Sequence, residues 1–184
     1  IYMFEDIYCT AIIVAAGSGK RMGTDISKQF IKFNNIPLLA YTLKKFQDCS
    51  AINEIILVTS KDSVEYCKNE IVLKYDITKA KKIVEGGKER QFSVYNGINA
   101  ASSNTKIIII HDGVRPFVEE KHILDTIKGA LEYKACILGV KAKDTIKITD
   151  KNNIVIDTPN REDLWYIQTP QTFEYNTIKS AYEK

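Results

Sequence analysis

Ile107–Ile110 is an unbroken run of four isoleucines, preceded by Lys106. Each is β-branched and stiff at χ1, which favours a strand over a helix. A strand that never alternates with polar residues has no face to turn to water, so both faces must be covered. Similar runs recur at Ala11–Ala15 (AIIVA), Glu54–Thr59 (EIILVT), Ala135–Val140 (ACILGV) and, more briefly, Lys82–Glu85. Between them lie segments with helical spacing. Pro37–Phe46 carries Leu38, Leu39, Leu43 and Phe46 on one face, and Glu119–Tyr133 repeats Ile123, Ile127 and Leu131 every fourth residue. Asp62–Tyr75 and Gln91–Ala101 also read as helices. Buried strands alternating with helices imply an open, mostly parallel α/β sheet with helices on both faces. Ligands of such sheets bind outside the carboxyl ends of the strands, where strand order switches. A length of 184 residues suits one domain with a sizeable core. No internal repeat or linker divides it, so residues 1–184 are expected to form a single unit.

Residues 144–163 break the pattern. Thr145–Thr149 (TIKIT) alternates, DKNN supplies a polar turn and IVIDT follows, which is a hairpin signature. A lone two-stranded ribbon is marginal in water and must pack on this domain or on another subunit. The second option is preferred here: a projecting arm that joins two copies into a homodimer.

The stretch VAAGSGKRMG, Val14–Gly23, leaves the first strand. An ATPase phosphate loop needs GxxxxGK followed by Ser or Thr. Here Val14 stands where the first glycine belongs and Arg21 follows Lys20, so that motif fails twice. A dinucleotide fingerprint needs GxGxxG. Its third glycine is one residue late, at Gly23, which argues against a dinucleotide-dependent oxidoreductase. What remains is physical. Ala15, Ala16, Gly17 and Gly19 keep the main chain bare, so amides can approach phosphate oxygens. Lys20, Arg21 and Lys28 follow as cations. A solvated basic turn would read the same way from this stretch alone.

Composition excludes several other classes. A net charge of +3 is too mild for nucleic acid, which needs a clustered basic face. No apolar run is long enough for a membrane span. The N-terminal residues lack the pattern of a signal peptide. Cys9, Cys49, Cys67 and Cys136 form no CxxC pair and read as free thiols of a reducing compartment, which makes the cytoplasm the expected location.

Further segments carry a resemblance. They are AAGxGxRMG…KQF; Gly86–Val94 (GGKERQFSV); His111–Phe117 (HDGVRPF); Asp144–Lys147 (DTIK); and Asn160–Trp165 (NREDLW) followed by Gln168–Gln171 (QTPQ). In this order, from about Thr10 to the end, the chain resembles the 2-C-methyl-D-erythritol 4-phosphate cytidylyltransferase family. Gly113 and Val114 replace two alanines of the family pattern, and Asn160 replaces an aspartate. The family continues past the position of Lys184 with a segment whose lysine helps to hold the acceptor phosphate. That segment is expected to lie outside this sequence. The resemblance implies a Rossmann-like nucleotidyltransferase sheet and transfer of CMP from CTP to the polyol phosphate, with release of pyrophosphate, in the non-mevalonate isoprenoid pathway. The nearest rival is ribitol-5-phosphate cytidylyltransferase, and a nucleotide-binding module without turnover is another alternative.

The resemblance also implies residue roles. Arg21 and Lys28 would stabilise charge at the α-phosphate. Ala15, Ala16, Gly17 and Gly19 would lie against the nucleotide, Gly86, Gly87 and Ser93 would read the cytosine edge, and Thr169 would lie near the nucleotide. Asp112 would bind Mg²⁺ and, with Arg115, Thr145 and Arg161, face the acceptor. His111 is expected to orient its loop and His122 to be a surface residue.

Overall fold

A computed structural model of the chain describes residues 6–17 and 27–184. Its centre is a six-stranded sheet. In chain order the strands are β1 (Cys9–Ala15), β4 (Glu54–Thr59), β5 (Ala80–Glu85), β6 (Ile107–Asp112), β7 (Ala135–Lys141) and β10 (Trp165–Glu174). Spatially they run β5-β4-β1-β6-β10-β7. β1, β4, β5 and β6 pair in parallel, while β10 is antiparallel to both β6 and β7, so β10 alone opposes the rest of this sheet. The expected mostly parallel α/β architecture is what forms.

The isoleucine run divides its side chains between two cores because strand residues alternate faces. Ile107 and Ile109 join Ala11, Ile13, Ile55 and Leu57 beneath helices α1 (Leu38–Asp48) and α4 (Glu120–Tyr133). Ile108 and Ile110 join Ile12, Ile56 and Val58 on the opposite face, against α3 (Arg90–Ala100) and α5 (Tyr175–Tyr182). One helix face per core produces the three-layer order that unalternated strands demand.

Three elements differ from the sequence reading. The stretch read as one helix over Asp62–Tyr75 is composite: a 3-10 turn at Lys61–Ser63, an α-turn α2 at Val64–Tyr66 and a π-helix at Cys67–Leu73. A small ribbon, β2 (Lys32–Phe33) with β3 (Ile36–Pro37), turns through Asn34 and Asn35, both at positive φ. β10 was not foreseen as a strand. It contains Pro170, which cannot donate to a ladder, and its register against β7 shifts between Ile167 and Gln171.

Within residues 144–163 a hairpin forms over 148–157. β8 (Ile148–Thr149) pairs with β9 (Val155–Asp157), and Asp150 Oδ1 accepts from the amides of Asn152 and Ile154 at 2.8 and 2.9 Å to shape the turn. Ile154, Val155 and Ile156 stand exposed on it. All four cysteines are free, three of them buried.

Candidate active site

β1 is the point where strand order switches. The chain passes from β1 to β4 and β5 on one side, then returns to lay β6 on the other. The loops that leave β1, β5 and β6 therefore converge at one end of the sheet. They surround an open cleft of about 600 Å³. Of the expected site residues, Ala15, Ala16, Gly17, Lys28, Gly87, Ser93 and Asp112 line it. Gly19, Lys20 and Arg21 lie outside the described residues.

Gly86 stands directly behind the wall. A Cβ there would lie 2.4 Å from Ala16 Cβ and 2.8 Å from Ser93 Oγ, so only glycine lets the β5 loop close on the β1 loop. Ser93 is buried. Its hydroxyl accepts from the Gly87 amide at 3.1 Å and donates to the Glu89 carbonyl at 3.2 Å. It thus shapes the turn into α3, and the N-terminus of that helix faces the cleft with its positive dipole end.

Asp112 ends β6 and is held between two guanidinium groups. Arg90 Nε and Nη2 approach its Oδ1 at 3.1 and 3.0 Å, and Arg115 Nε approaches Oδ2 at 3.0 Å. Each arginine is also tethered to β10. Arg90 donates to Gln171 Oε1 at 3.3 Å, and Arg115 donates to Gln168 Oε1. Arg115 lies three residues after Asp112, so that ion pair is local. Arg90, Gln168 and Gln171 were quoted within motifs but given no such part. Arg90 and the glutamine it reaches lie 81 residues apart in the sequence, which spacing alone cannot join.

His111 lies under this network, fully buried against Phe46 with ring centroids 5.0 Å apart. Its Nε2 is 3.0 Å from the Arg115 carbonyl and its Nδ1 is 2.9 Å from Thr169 Oγ1. A carbonyl only accepts, so Nε2 carries the hydrogen and Nδ1 accepts from the threonine hydroxyl. The same hydroxyl accepts from the Asp112 amide at 3.3 Å. Burial pushes the imidazole down to about 4, so the ring is neutral at physiological pH. His111 therefore orients the loop of residues 112–115, as expected. Thr169 takes part in that same scaffold and is not among the residues lining the cleft.

Thr145 and Arg161 are elsewhere. Both belong to the arm, away from the cleft lining, and Arg161 Nη1 donates to the Lys143 carbonyl at 3.1 Å. His122 is half-buried in α4, and its Nδ1 accepts from the Glu119 amide at 3.3 Å to close a capping box.

Asp112 was expected to hold Mg²⁺. Both its oxygens accept from arginines, and among the described residues no group of three or more His, Cys, Asp or Glu could hold a metal ion. The donor set is one paired carboxylate. That is no all-protein cage, but it is the usual protein share where phosphate oxygens and waters supply the other ligands of Mg²⁺.

Strand order and cleft together define the class: an α/β protein of the nucleotidyltransferase fold. The profile of the family described as IspD, 2-C-methyl-D-erythritol 4-phosphate cytidylyltransferase, matches residues 9–184. The chain belongs to this family. A relative of that name from Clostridium botulinum (strain Langeland) is 53% identical over 175 residues, covering 95% of this chain and 76% of the relative. One from Clostridium novyi is 51% identical over 174 residues, covering 95% and 75%. The crystal structure of 4-diphosphocytidyl-2C-methyl-D-erythritol synthase from Anaerococcus prevotii superposes with a TM-score of 0.84 at 38% identity, covering all of this chain and 77% of that one. The Francisella tularensis cytidylyltransferase superposes at 0.77 with 31% identity, covering 96% and 76%.

Proposed function

We propose that this protein transfers CMP from CTP to 2-C-methyl-D-erythritol 4-phosphate in isoprenoid biosynthesis. The observation that carries this reading is the convergence on one cleft of the bare β1 loop, Lys28, the Gly87–Ser93 turn and Asp112, in a chain of this family.

A phosphate oxygen of the acceptor attacks the α-phosphorus of CTP. The new O–P bond forms as the bond to the β-phosphate oxygen breaks, and pyrophosphate leaves with the electron pair. The acceptor phosphate is largely ionised at neutral pH, its second pKa being about 6, so no general base is required and the neutral His111 needs no proton-transfer role. Positioning and electrostatics carry the rate. Lys28 and Arg21 would stabilise charge that grows on the α-phosphate. The amides of residues 15–17 and the α3 N-terminus would face the triphosphate. Gly86 and Gly87 would offer main-chain groups to the cytosine edge.

Asp112 would hold Mg²⁺ that enters with the triphosphate, and the metal would neutralise phosphate charge. The protein side of the cleft contributes Lys28 and the Arg90–Asp112–Arg115 cluster. Arg115 would face the acceptor phosphate. The exposed apolar arm supports a homodimer in which the arm of one copy carries Arg161 and Thr145 over the cleft of the other, and an arginine fork suits a phosphate dianion. Free thiols support a reducing compartment, the cytoplasm. Among the described residues no helix is long and apolar enough to cross a membrane.

The test is pyrophosphate release by the full-length enzyme with CTP, Mg²⁺ and 2-C-methyl-D-erythritol 4-phosphate. Parallel reactions contain ribitol 5-phosphate as acceptor, or ATP as donor. Release confined to CTP with the erythritol phosphate is the expected result. Release with ribitol 5-phosphate instead would move the acceptor, and CTP binding without release would leave a nucleotide-binding module.

A further inference from the structure

Gln29 is a buried carboxamide, 3% exposed, at the wall of the cleft beside Lys28. Its Nε2 donates to the Ala15 carbonyl at 2.8 Å and to the Gly17 carbonyl at 3.1 Å. A primary amide has two N–H groups, and both are spent on the loop that leaves β1. Those two carbonyls bracket Ala16, where the main chain turns into the cleft.

The segment that carries Gln29 is itself fixed. Lys28–Phe30 forms a 3-10 turn, closed by the Phe30 amide on the Ser27 carbonyl at 2.9 Å and the Ile31 amide on the Lys28 carbonyl at 3.2 Å. The Phe30 ring packs edge-on against Tyr66 at 5.0 Å. A rigid turn thus presents one neutral fork to two carbonyl oxygens.

Main-chain carbonyls facing a triphosphate would repel it. Carbonyls engaged from the protein side leave N–H groups as what the loop can offer an anion. We infer that Gln29 is a positioning residue for the nucleotide: it ties the main chain of residues 15–17 to the turn that carries Lys28, so amide wall and cation meet the triphosphate at one set separation. The inference rests on the nucleotide reading of the cleft. Residue chemistry narrows the position sharply. Leucine would fill the space and leave two buried carbonyls without donors. Glutamate has the right shape but would oppose both carbonyls and the ligand.

The experiment compares unmodified enzyme with Gln29→Leu and Gln29→Glu, each confirmed folded by its melting transition. CTP binding is titrated calorimetrically in the absence of acceptor, and steady-state pyrophosphate release gives KM for each substrate. Gln29→Leu is expected to weaken CTP at least about tenfold, the loss of two buried hydrogen bonds, while KM for the polyol phosphate stays within twofold. Gln29→Glu is expected to be weaker still at pH 8. A general structural defect would move both substrates together. Either folded variant binding CTP within twofold of the unmodified enzyme would overturn the inference, as would equal losses for both substrates. If the unmodified enzyme bound no CTP, the nucleotide reading itself would fall and take the inference with it.

Discussion

At the scale of single residues, His111 shows how a buried titratable group couples the site to stability. Its folded value is about 4, against about 6.5 in an unfolded chain. Between those values the unfolded chain binds a proton that the folded protein refuses. Stability is therefore full above about pH 6.5, falls as pH drops toward 4 and levels below that. The total is about 3 kcal/mol by linkage. Urea midpoints measured from pH 4 to 7 should show this slope, and His111→Gln should flatten it. Arg90 and Asp112 give a second expectation. If Arg90 acts by holding Asp112, the two are coupled, and Arg90→Ala combined with Asp112→Asn should cost less in kcat/KM than the sum of the single losses, by about 0.5–2 kcal/mol. Additive losses in that double-mutant cycle would separate the two roles. Lys28 and Asp112 were legible in the sequence because a cation after a bare loop and a carboxylate after a buried strand carry their chemistry in residue type. Arg90, Gln29, Gln168 and Gln171 were not assigned these roles, since each acts through a partner brought close only by folding, such as Gln171 for Arg90 across 81 residues.

At the scale of elements, helix packing on the sheet is set by small residues at crossings. Gly97 of α3 sits over β1, where an added Cβ would come within 2.5 Å of Ile12 Cγ2 and 3.2 Å of Val58 Cγ2. Alanine is the better helix former by about 1 kcal/mol, but overpacking costs about 1–3 kcal/mol. Gly97→Ala should therefore be neutral to destabilising by up to about 2 kcal/mol, and a clear gain in Tm would show that the helix can lift off the sheet without cost. Strands β1, β4 and β6 were read closely from unbroken apolar runs. β10 was missed because WYIQTPQTFE mixes aromatic, polar and proline residues. Its place between β6 and β7 comes from tertiary contacts, including the buried Thr172 hydroxyl donating to Thr126 of α4 at 2.9 Å.

At the scale of the molecule, apolar surface remains where the arm meets the sheet edge. Trp165, Tyr166 and Ile167 of β10 and Val140 of β7 are about half exposed, and Ile156 on the arm is 64% exposed. Neighbouring exposed apolar side chains of this kind suit the proposed dimer contact. Sedimentation at micromolar concentration should give twice the chain mass of 20.9 kDa. Ile156→Asp, placed on the solvent-facing arm, should yield monomers that bind CTP with near-normal affinity yet lose acceptor-dependent turnover at least about tenfold, in keeping with an arginine delivered across the dimer. A dimeric Ile156→Asp protein, or a monomer with full turnover, would move the interface away from the arm.

By itself the sequence determined the layers and the end of the sheet at which a ligand belongs. Unalternated isoleucines and valines permit no solvated face, and an open parallel sheet takes its ligands outside the carboxyl ends of its strands. Only the tertiary structure decided which side chains make the site a unit. Gln29 bracing the β1 loop, Arg90 reaching Asp112, and Thr169 linking His111 to the Asp112 amide are hydrogen bonds between separate segments of the chain. Such bonds depend on distance and direction, which local pattern does not encode.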